Sequence, residues 1–313
     1  MSALPPKADI RQHERDVRFV PYLGVAILLI WAAKPGANMS QSQFDLEAFR
    51  NFERTSHDKL AESYYDAFSA VTKSAIEPLL KAAHVGNGTR LLDVATGPGT
   101  LAAKAAERGA RVIGIDIAPA MIELAHTLHP HLDFREGSAE ELPLDSSSFD
   151  AVISGFGVGH FSRPERVLAE FACVLVSKGR VALSWWNGFG KSRINGIFFE
   201  AINELGISSP GALPAGPAAD RFSDPKEFAA VLRAAGFEVG GIDYISFSHP
   251  LKSVDELWDL ALGSFVRVST VIGAQTADVQ QRIRAKVEQI AQQYASANGL
   301  QIPVAFRVIA GTR

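Results

Sequence analysis

Two carboxylates and two glycines give the chain its first chemical reading: Asp93, Gly97, Gly99 and Asp116. Asp93 sits among Leu91, Leu92, Val94 and Ala95, a run with the composition of a buried parallel strand, in which a lone charge is costly unless a ligand or partner answers it. In Thr96-Gly97-Pro98-Gly99 the glycines let the backbone turn and approach a ligand without a Cβ in the way, and the amides opening the helix-forming run to Glu107 offer unpaired donors. A second strand-like stretch, 111–115, ends in Asp116, where a carboxylate can accept hydrogen bonds from both hydroxyls of a ribose. Together these residues suit a nucleotide-like ligand, and removing Asp116 should weaken that ligand while leaving the fold intact. Further on, Ser154-Gly155-Phe156-Gly157-Val158-Gly159-His160-Phe161 reads as a glycine-rich loop at a strand's carboxyl end. His160 is its titratable group, either a general base near neutral pH or a side chain that caps the loop and lines the pocket.

Gly97-x-Gly99-x-x-Ala102 with an acid some twenty residues on also fits a dinucleotide-binding dehydrogenase. A nicotinamide-dependent oxidoreductase is therefore the competing enzyme, and a non-catalytic cofactor-binding regulatory protein the competing class. Asp93 separates them. A pyrophosphate at this loop would face a like charge, at a cost of several kcal/mol for an effective dielectric of about 20. S-adenosylmethionine brings an ammonium and a sulfonium instead.

Residues 91–99, 112–121 and 135–144 resemble the nucleotide-binding motifs of class I S-adenosylmethionine-dependent methyltransferases of the small-molecule "type 11" kind, with the similarity strongest over 57–186. The resemblance implies an α/β, Rossmann-like fold: a seven-stranded, mostly parallel sheet with a helical N-terminal segment and C-terminal lid insertions. It implies S-adenosylmethionine as cofactor, no metal, and a small-molecule acceptor, apolar or aromatic. By the same resemblance the cofactor site comprises Asp93, Ala95, Thr96, Gly97, Pro98, Gly99, Asp116, Ile117, Met121, Ser138, Ala139, Glu140, Gly155 and Phe156, with a tyrosine, Tyr65 or its neighbour Tyr64, closing over the methionine end. Ser138 stands where the family often carries an aspartate for the adenine amino group, so its hydroxyl or the backbone must read the base. The motifs of amino methyltransferases acting on nucleic-acid bases (Asn/Asp-Pro-Pro-Tyr/Phe) and of cytosine carbon methyltransferases (Pro-Cys) are absent from the chain.

The elements that must position these residues are those of an ordinary globular chain of 313 residues, 47% hydrophobic and 21% charged. A net charge of −3 gives no footprint for nucleic acid. One cysteine, Cys173, excludes an intramolecular disulfide framework, a cysteine metal cluster and arsenite methylation, and its amphipathic surroundings mark an ordinary buried thiol. Residues 1–38 differ from the rest. Their apolar run, 22–33, is too short to span a bilayer, and acids flank it where a signal peptide would be basic. They are expected to form a poorly ordered or docked extension, with 39–313 as the methyltransferase domain: a helical cap at 44–83, a nucleotide-binding core at 84–186, and acceptor-side insertions with the last strands at 187–313. No stable membrane insertion, a cytoplasmic location and, as a permitted assembly, a homodimer complete the expectation.

Within the core, strands are expected near 90–95, 111–116, 132–136, 149–154 and 179–185, alternating with helices near 99–108, 119–128 and 164–175. Later come a Pro/Gly/Ala-rich mobile insertion (208–220), a helix at 224–235, a strand at 237–248, helices at 254–262 and 276–295, and a last strand at 302–309. Trp185, Trp186, Phe189, Phe198, Phe199, Trp258 and Phe265 are either an aromatic acceptor pocket or core.

Overall fold

The computed structural model describes residues 45–211, 213–218 and 220–313, so the expected extension at 1–38 lies outside the described residues. The chain begins there with α1 (Leu46–Thr72), whose N-cap Asp45 accepts a hydrogen bond from the Ala48 amide and satisfies one of the orphan donors of a helix start. Its inward face carries Phe49, Ala61, Phe68 and Val71. After α2 (Ile76–Ala82) come β1 (Arg90–Val94), α3 (Thr100–Glu107), β2 (Arg111–Asp116), α4 (Pro119–Leu128), β3 (Asp133–Glu136), β4 (Phe149–Gly155), α5 (Pro164–Val174) and β5 (Leu175–Trp186). The remainder is α6 (Arg193–Glu204), α7 (Pro225–Ala234), β6 (Glu238–Leu251), α8 (Val254–Ser264), α9 (Val266–Gly273), α10 (Ala277–Ala291), β7 (Ala295–Ser296) and β8 (Gly299–Thr312).

The strands form one sheet in the order β3-β2-β1-β4-β5-β8-β6, with β7 a two-residue hairpin arm on β8. Neighbours from β3 through β5 are parallel, and β8 runs antiparallel between β5 and β6. Among the described residues seven strands lie on the path as expected, and β7 makes an eighth. The chain order reverses between β1 and β4, so their carboxyl ends diverge into the crevice where open α/β sheets bind ligands. Leu91, Leu92 and Val94 of β1 and Val152 and Ile153 of β4 are at most 1% exposed, which is what strands covered on both faces require.

α1 roofs the carboxyl edge. Its Asp58 accepts from the Ala120 amide at the start of α4, its Arg54 donates to the Ile117 carbonyl, and its Ser63 donates to the Gly263 carbonyl of α8. The Pro/Gly/Ala-rich stretch also lies against this helix: a Cβ at Gly216 would fall 2.2 Å from the Phe49 ring, so the segment expected to be mobile is packed at that point. Two helices were not expected. α6 carries Gly196 in mid-run, and the β-branched Val266-Arg267-Val268-Ser269-Thr270-Val271 has strand propensity, yet burial of Val266, Val268, Val271 and Ile272 holds it helical as α9. Cys173, expected to be buried, is exposed. Among the described residues, no helix is long and apolar enough to cross a membrane.

Candidate functional site

The turns after β1, β2, β3 and β4 converge beneath α1 on a cavity of about 200 Å³. Ala95 and Gly97 reach it from β1, Asp116 and Ile117 from β2, Gly137 to Glu140 from β3, and Gly155, Phe156, Gly157, His160 and Phe161 from β4. Met121 of α4 lines it as well. A smaller cavity of about 70 Å³ adjoins on the α2 and α3 side, lined by Asp93, Thr96, Pro98, Thr100 and Leu101. Tyr64, Ala95, Gly97, Gly155 and Phe156 line both.

The loop geometry follows from the sequence. Gly97 (φ 53°) and Gly99 (φ 77°) take left-handed conformations that glycine adopts without strain. Ala95 (φ 57°) and Phe156 (φ 60°) do so without that freedom. Such backbone costs about 1–3 kcal/mol per residue and persists where surrounding structure enforces it, often at ligand sites. Here each directly follows a central strand, Ala95 after β1 and Phe156 after β4, and both line the paired cavities.

Asp93 is fully buried. Its Oδ2 accepts from Thr96 Oγ1 at 2.8 Å, whereas Oδ1 makes no well-aligned hydrogen bond. Burial pushes its carboxyl up to about 7; the Thr96 hydroxyl and the Ala102 amide oppose the shift, and the nearby Asp116 charge adds to it. A carboxylate buried this deeply, with one hydroxyl and the weakly aligned Ala102 amide at the start of α3 facing it, is ionised at a cost that a cationic ligand would offset. Asp116 is different: Oδ2 accepts from the Gly97 amide at 2.8 Å and Oδ1 from the Ala118 amide at 3.0 Å. Burial moves its carboxyl above the ordinary range, against the pull of those amides and of His57. Asp116 therefore ties the β1 and β2 turns together while lining the cavity. Removing it takes the acceptor from the part-buried Gly97 amide and the buried Ala118 amide, so its loss is expected to lower stability as well as ligand affinity.

The remaining expected residues separate into those at the cavities and those behind them. Tyr64 lines both cavities, but Tyr65 lines neither, because a one-residue step turns a side chain about 100° around the helix. Burial and the Asp116 charge raise the Tyr64 phenol pKa. Gly99 also stays off the cavity walls; it opens α3, where a Cβ would meet the Phe134 ring at 2.5 Å. Ser138 and Ala139 line the larger cavity, the Ser138 hydroxyl accepting from the Glu140 amide at 3.2 Å. Glu140 lines it too, but its carboxylate accepts from the Ser162 hydroxyl and the Arg163 amide and so braces the β3 turn against the start of α5. Of the seven aromatics, Trp185, Trp186, Phe189, Phe199 and Phe265 line the cavity, while Phe198 and Trp258 belong to the core. Phe156 and Trp186 stack with centroids 3.9 Å apart and planes at 15°.

His160 lines the larger cavity, and its Nδ1 lies 2.9 Å from Glu53 Oε2. Sequence reasoning missed Glu53, His57 and Arg267, which gather around it. Glu53 is 3% exposed although it lies on a helix whose sequence is polar on average. Burial pushes its carboxyl up, but His160, His57 and Arg267 together hold it below the ordinary range. The legible signal was Glu53-x-x-x-His57, a four-residue spacing that puts both groups on the helix face carrying Phe49.

Comparison with known proteins agrees with this geometry. The family described as a methyltransferase domain matches residues 92–183. A demethylmenaquinone methyltransferase of Chlorobaculum tepidum is 44% identical over 91 residues, 29% of this chain and 38% of that one, so the chain spans well under half of that relative. An uncharacterized methyltransferase of Mycobacterium tuberculosis is 30% identical over 234 residues, 73% of this chain and 84% of that one. Among solved structures, the YcgJ protein of Bacillus subtilis shares the fold, with a TM-score of 0.50 at 19% identity over 77% of this chain and 98% of that one. The motif-bearing turns, the strand order and a relative matched over most of its length show that the chain belongs to the class I S-adenosylmethionine-dependent methyltransferases.

Proposed function

We propose that this protein transfers the methyl group of S-adenosylmethionine to a small organic acceptor, apolar or aromatic, held in the larger cavity. The observation that carries the reading is Asp93: a fully buried carboxylate, raised to about 7 by burial despite the Thr96 hydroxyl and the Ala102 amide, on the wall of the cavity beside the glycine turn. That site suits the cationic methionine end of the cofactor and repels a pyrophosphate. In this reading Asp116, Ile117, Met121, Ser138 and Ala139 hold the adenosine end, Asp93, Thr96, Gly97 and Pro98 flank the methionine end, and Tyr64, Gly155 and Phe156 stand where the two cavities meet.

When bound, S-adenosylmethionine supplies a methyl group on a sulfur that is already a good leaving group. The chain's own contribution is then orientation and exclusion of water. The stacked Phe156 and Trp186, with Phe265 and Phe199, form an aromatic wall for a planar acceptor. The quinone-type relative points the same way, as its name states a demethylmenaquinone acceptor for that protein. His160 is the candidate base for acceptors that lose a proton. We take 39–313 as one functional domain and a cytoplasmic location, where the methyl donor is made.

Calorimetric titration separates this reading from the oxidoreductase. The protein is expected to bind S-adenosylhomocysteine saturably and to give no binding heat with NAD; NAD binding without S-adenosylhomocysteine binding overturns the proposal.

A further inference from the structure

The group around His160 comes from separate parts of the fold. Glu53 and His57 lie one turn apart on α1, Arg267 opens α9, and His160 ends the β4 turn. Glu53 Oε2 meets His160 Nδ1 at 2.9 Å, and Glu53 Oε1 faces the Arg267 guanidinium at 3.6 Å. His57 has its Nδ1 at 2.8 Å from the Glu53 main-chain carbonyl, so this nitrogen carries a hydrogen and donates it. The His57 ring stands edge-on to His160 with centroids 4.9 Å apart, and Trp185 packs against His160 in the same manner at 5.5 Å.

These contacts fix a tautomer. The Arg267 guanidinium facing Glu53 Oε1 favours the ionised carboxylate, and an ionised carboxylate only accepts. In the neutral ring, His160 Nδ1 therefore carries the hydrogen and Nε2 the lone pair, on a side chain that lines the cavity. We infer that Glu53, backed by Arg267, is a positioning residue that sets His160 as the base for a hydroxylated aromatic acceptor, a phenol or enol on a planar ring. The inference rests on the reading of the cavity as a methyl-transfer site.

The step balances without another reactant. The acceptor O–H proton passes to His160 Nε2, an oxygen lone pair forms the bond to the methyl carbon, and the carbon–sulfur bond breaks with its electron pair left on sulfur. The imidazolium then returns its proton to water. The acceptor must be acidic enough for an imidazole to share its proton, which favours phenols and enols over alkyl alcohols, and the aromatic wall of Phe156 and Trp186 favours the planar ones. A divalent cation among Glu53, His57 and His160 is the competing occupant. It would share the Glu53 carboxylate with Arg267 and face that cation at short range, and the Nδ1 of His57 is already committed to a carbonyl.

The test needs no knowledge of the natural acceptor. 4-Nitrophenol, whose phenolate alone absorbs in the violet, is titrated with pH in the presence of the full-length protein saturated with S-adenosylhomocysteine. The charges facing His160 and its partners are Glu53, His57, Arg50 and Arg267, with Asp116 acting on His57. With that set in place, bound 4-nitrophenol is expected to ionise about one pH unit or more below the free compound. Glu53→Gln keeps a hydrogen-bond acceptor for His160 without the charge and is expected to lose most of the shift, and His160→Gln all of it, while S-adenosylhomocysteine affinity stays within about twofold in both. If Glu53→Gln fails to fold, Arg267→Gln, which takes the guanidinium from Glu53 Oε1, replaces it and is expected to lose part of the shift; an unchanged shift there overturns the positioning role. Bound probe with an unshifted titration in the wild type, or an unchanged shift in His160→Gln or in folded Glu53→Gln, overturns the inference and leaves the methyltransferase reading standing. A shift abolished by EDTA overturns it in favour of the cation. Failure to bind S-adenosylhomocysteine overturns the underlying reading instead.

Discussion

Asp93→Asn is expected to weaken S-adenosylmethionine binding about 10- to 100-fold, the worth of a hydrogen-bonded or ionic contact to a charged group, while adenosine binding changes less than about threefold. The substitution keeps the shape and an acceptor for the Thr96 hydroxyl, which now bonds Oδ2 at 2.8 Å, and removes the charge together with the second acceptor oxygen of a carboxylate that the Ala102 amide also faces. A pH signature accompanies it. Burial holds the ligand-free Asp93 carboxyl at about 7, and a cationic ligand favours its ionised form. Binding below that pH must therefore release a proton, and affinity rises as pH increases toward about 7 and then levels. Calorimetry in buffers of different ionisation heat reads the proton directly, and Asp93→Asn should abolish it.

The stability of the ligand-free protein runs the other way. A carboxyl raised in the folded state contributes stability that is fully present below its unfolded value, 3.8, and lost as pH rises through about 7. The ligand-free protein should thus gain stability from Asp93→Asn at pH 8 relative to pH 5. Equal loss of adenosine and S-adenosylmethionine affinity, with lower melting temperature, would mean that Asp93 merely ties the turn together. Raised NAD affinity would mean that a pyrophosphate had been repelled.

Gly99→Ala is expected to destabilise the protein by about 2–6 kcal/mol. A left-handed backbone costs a non-glycine residue about 1–3 kcal/mol, and forcing a methyl into a packed core costs a similar amount. Gly99 has φ 77°, and the new Cβ would lie 2.5 Å from Phe134 Cζ. The ring cannot retreat toward β2, because Gly114 meets it there: a Cβ on Gly114 would be 2.6 Å from Phe134 Cδ1. Phe134 is 4% exposed and wedged between two glycines. A fall in melting temperature of about 5–15 °C follows. A fall under about 2 °C would show that Phe134 gives way at little cost. Gly99 thus serves the cofactor turn by packing, although its place in the motif suggested ligand contact.

What the sequence disclosed was the part whose physics is local. The alternation of apolar strands with helix-forming runs located β1, β2 and β4 within a residue or two, and the glycine and aspartate positions fixed the turns that line the cavities. Where burial depends on distant partners, the reading failed. Val266 to Val271, given no element from sequence, becomes helical with α1 and α8 beside it, and Tyr64 and Tyr65 are indistinguishable until the helix is oriented over the sheet. Glu53 looked like one more charge on a polar helix. Only the approach of the β4 turn and α9 buries it and gives it His160 and Arg267 as partners. Cys173 was misjudged for the same reason, since an amphipathic spacing does not say which flank of a helix is covered.

The central claim, that the paired cavities perform methyl transfer, is tested most directly by following the label from S-adenosylmethionine carrying an isotopic methyl group. The full-length protein is incubated with this donor and an extract of small metabolites. Label is expected to appear in a low-molecular-weight, organic-soluble product with the wild type, and to fall sharply with Asp93→Asn at the same donor concentration. Saturable donor binding with no label leaving the donor in any fraction would contradict the account and favour a cofactor-binding regulator.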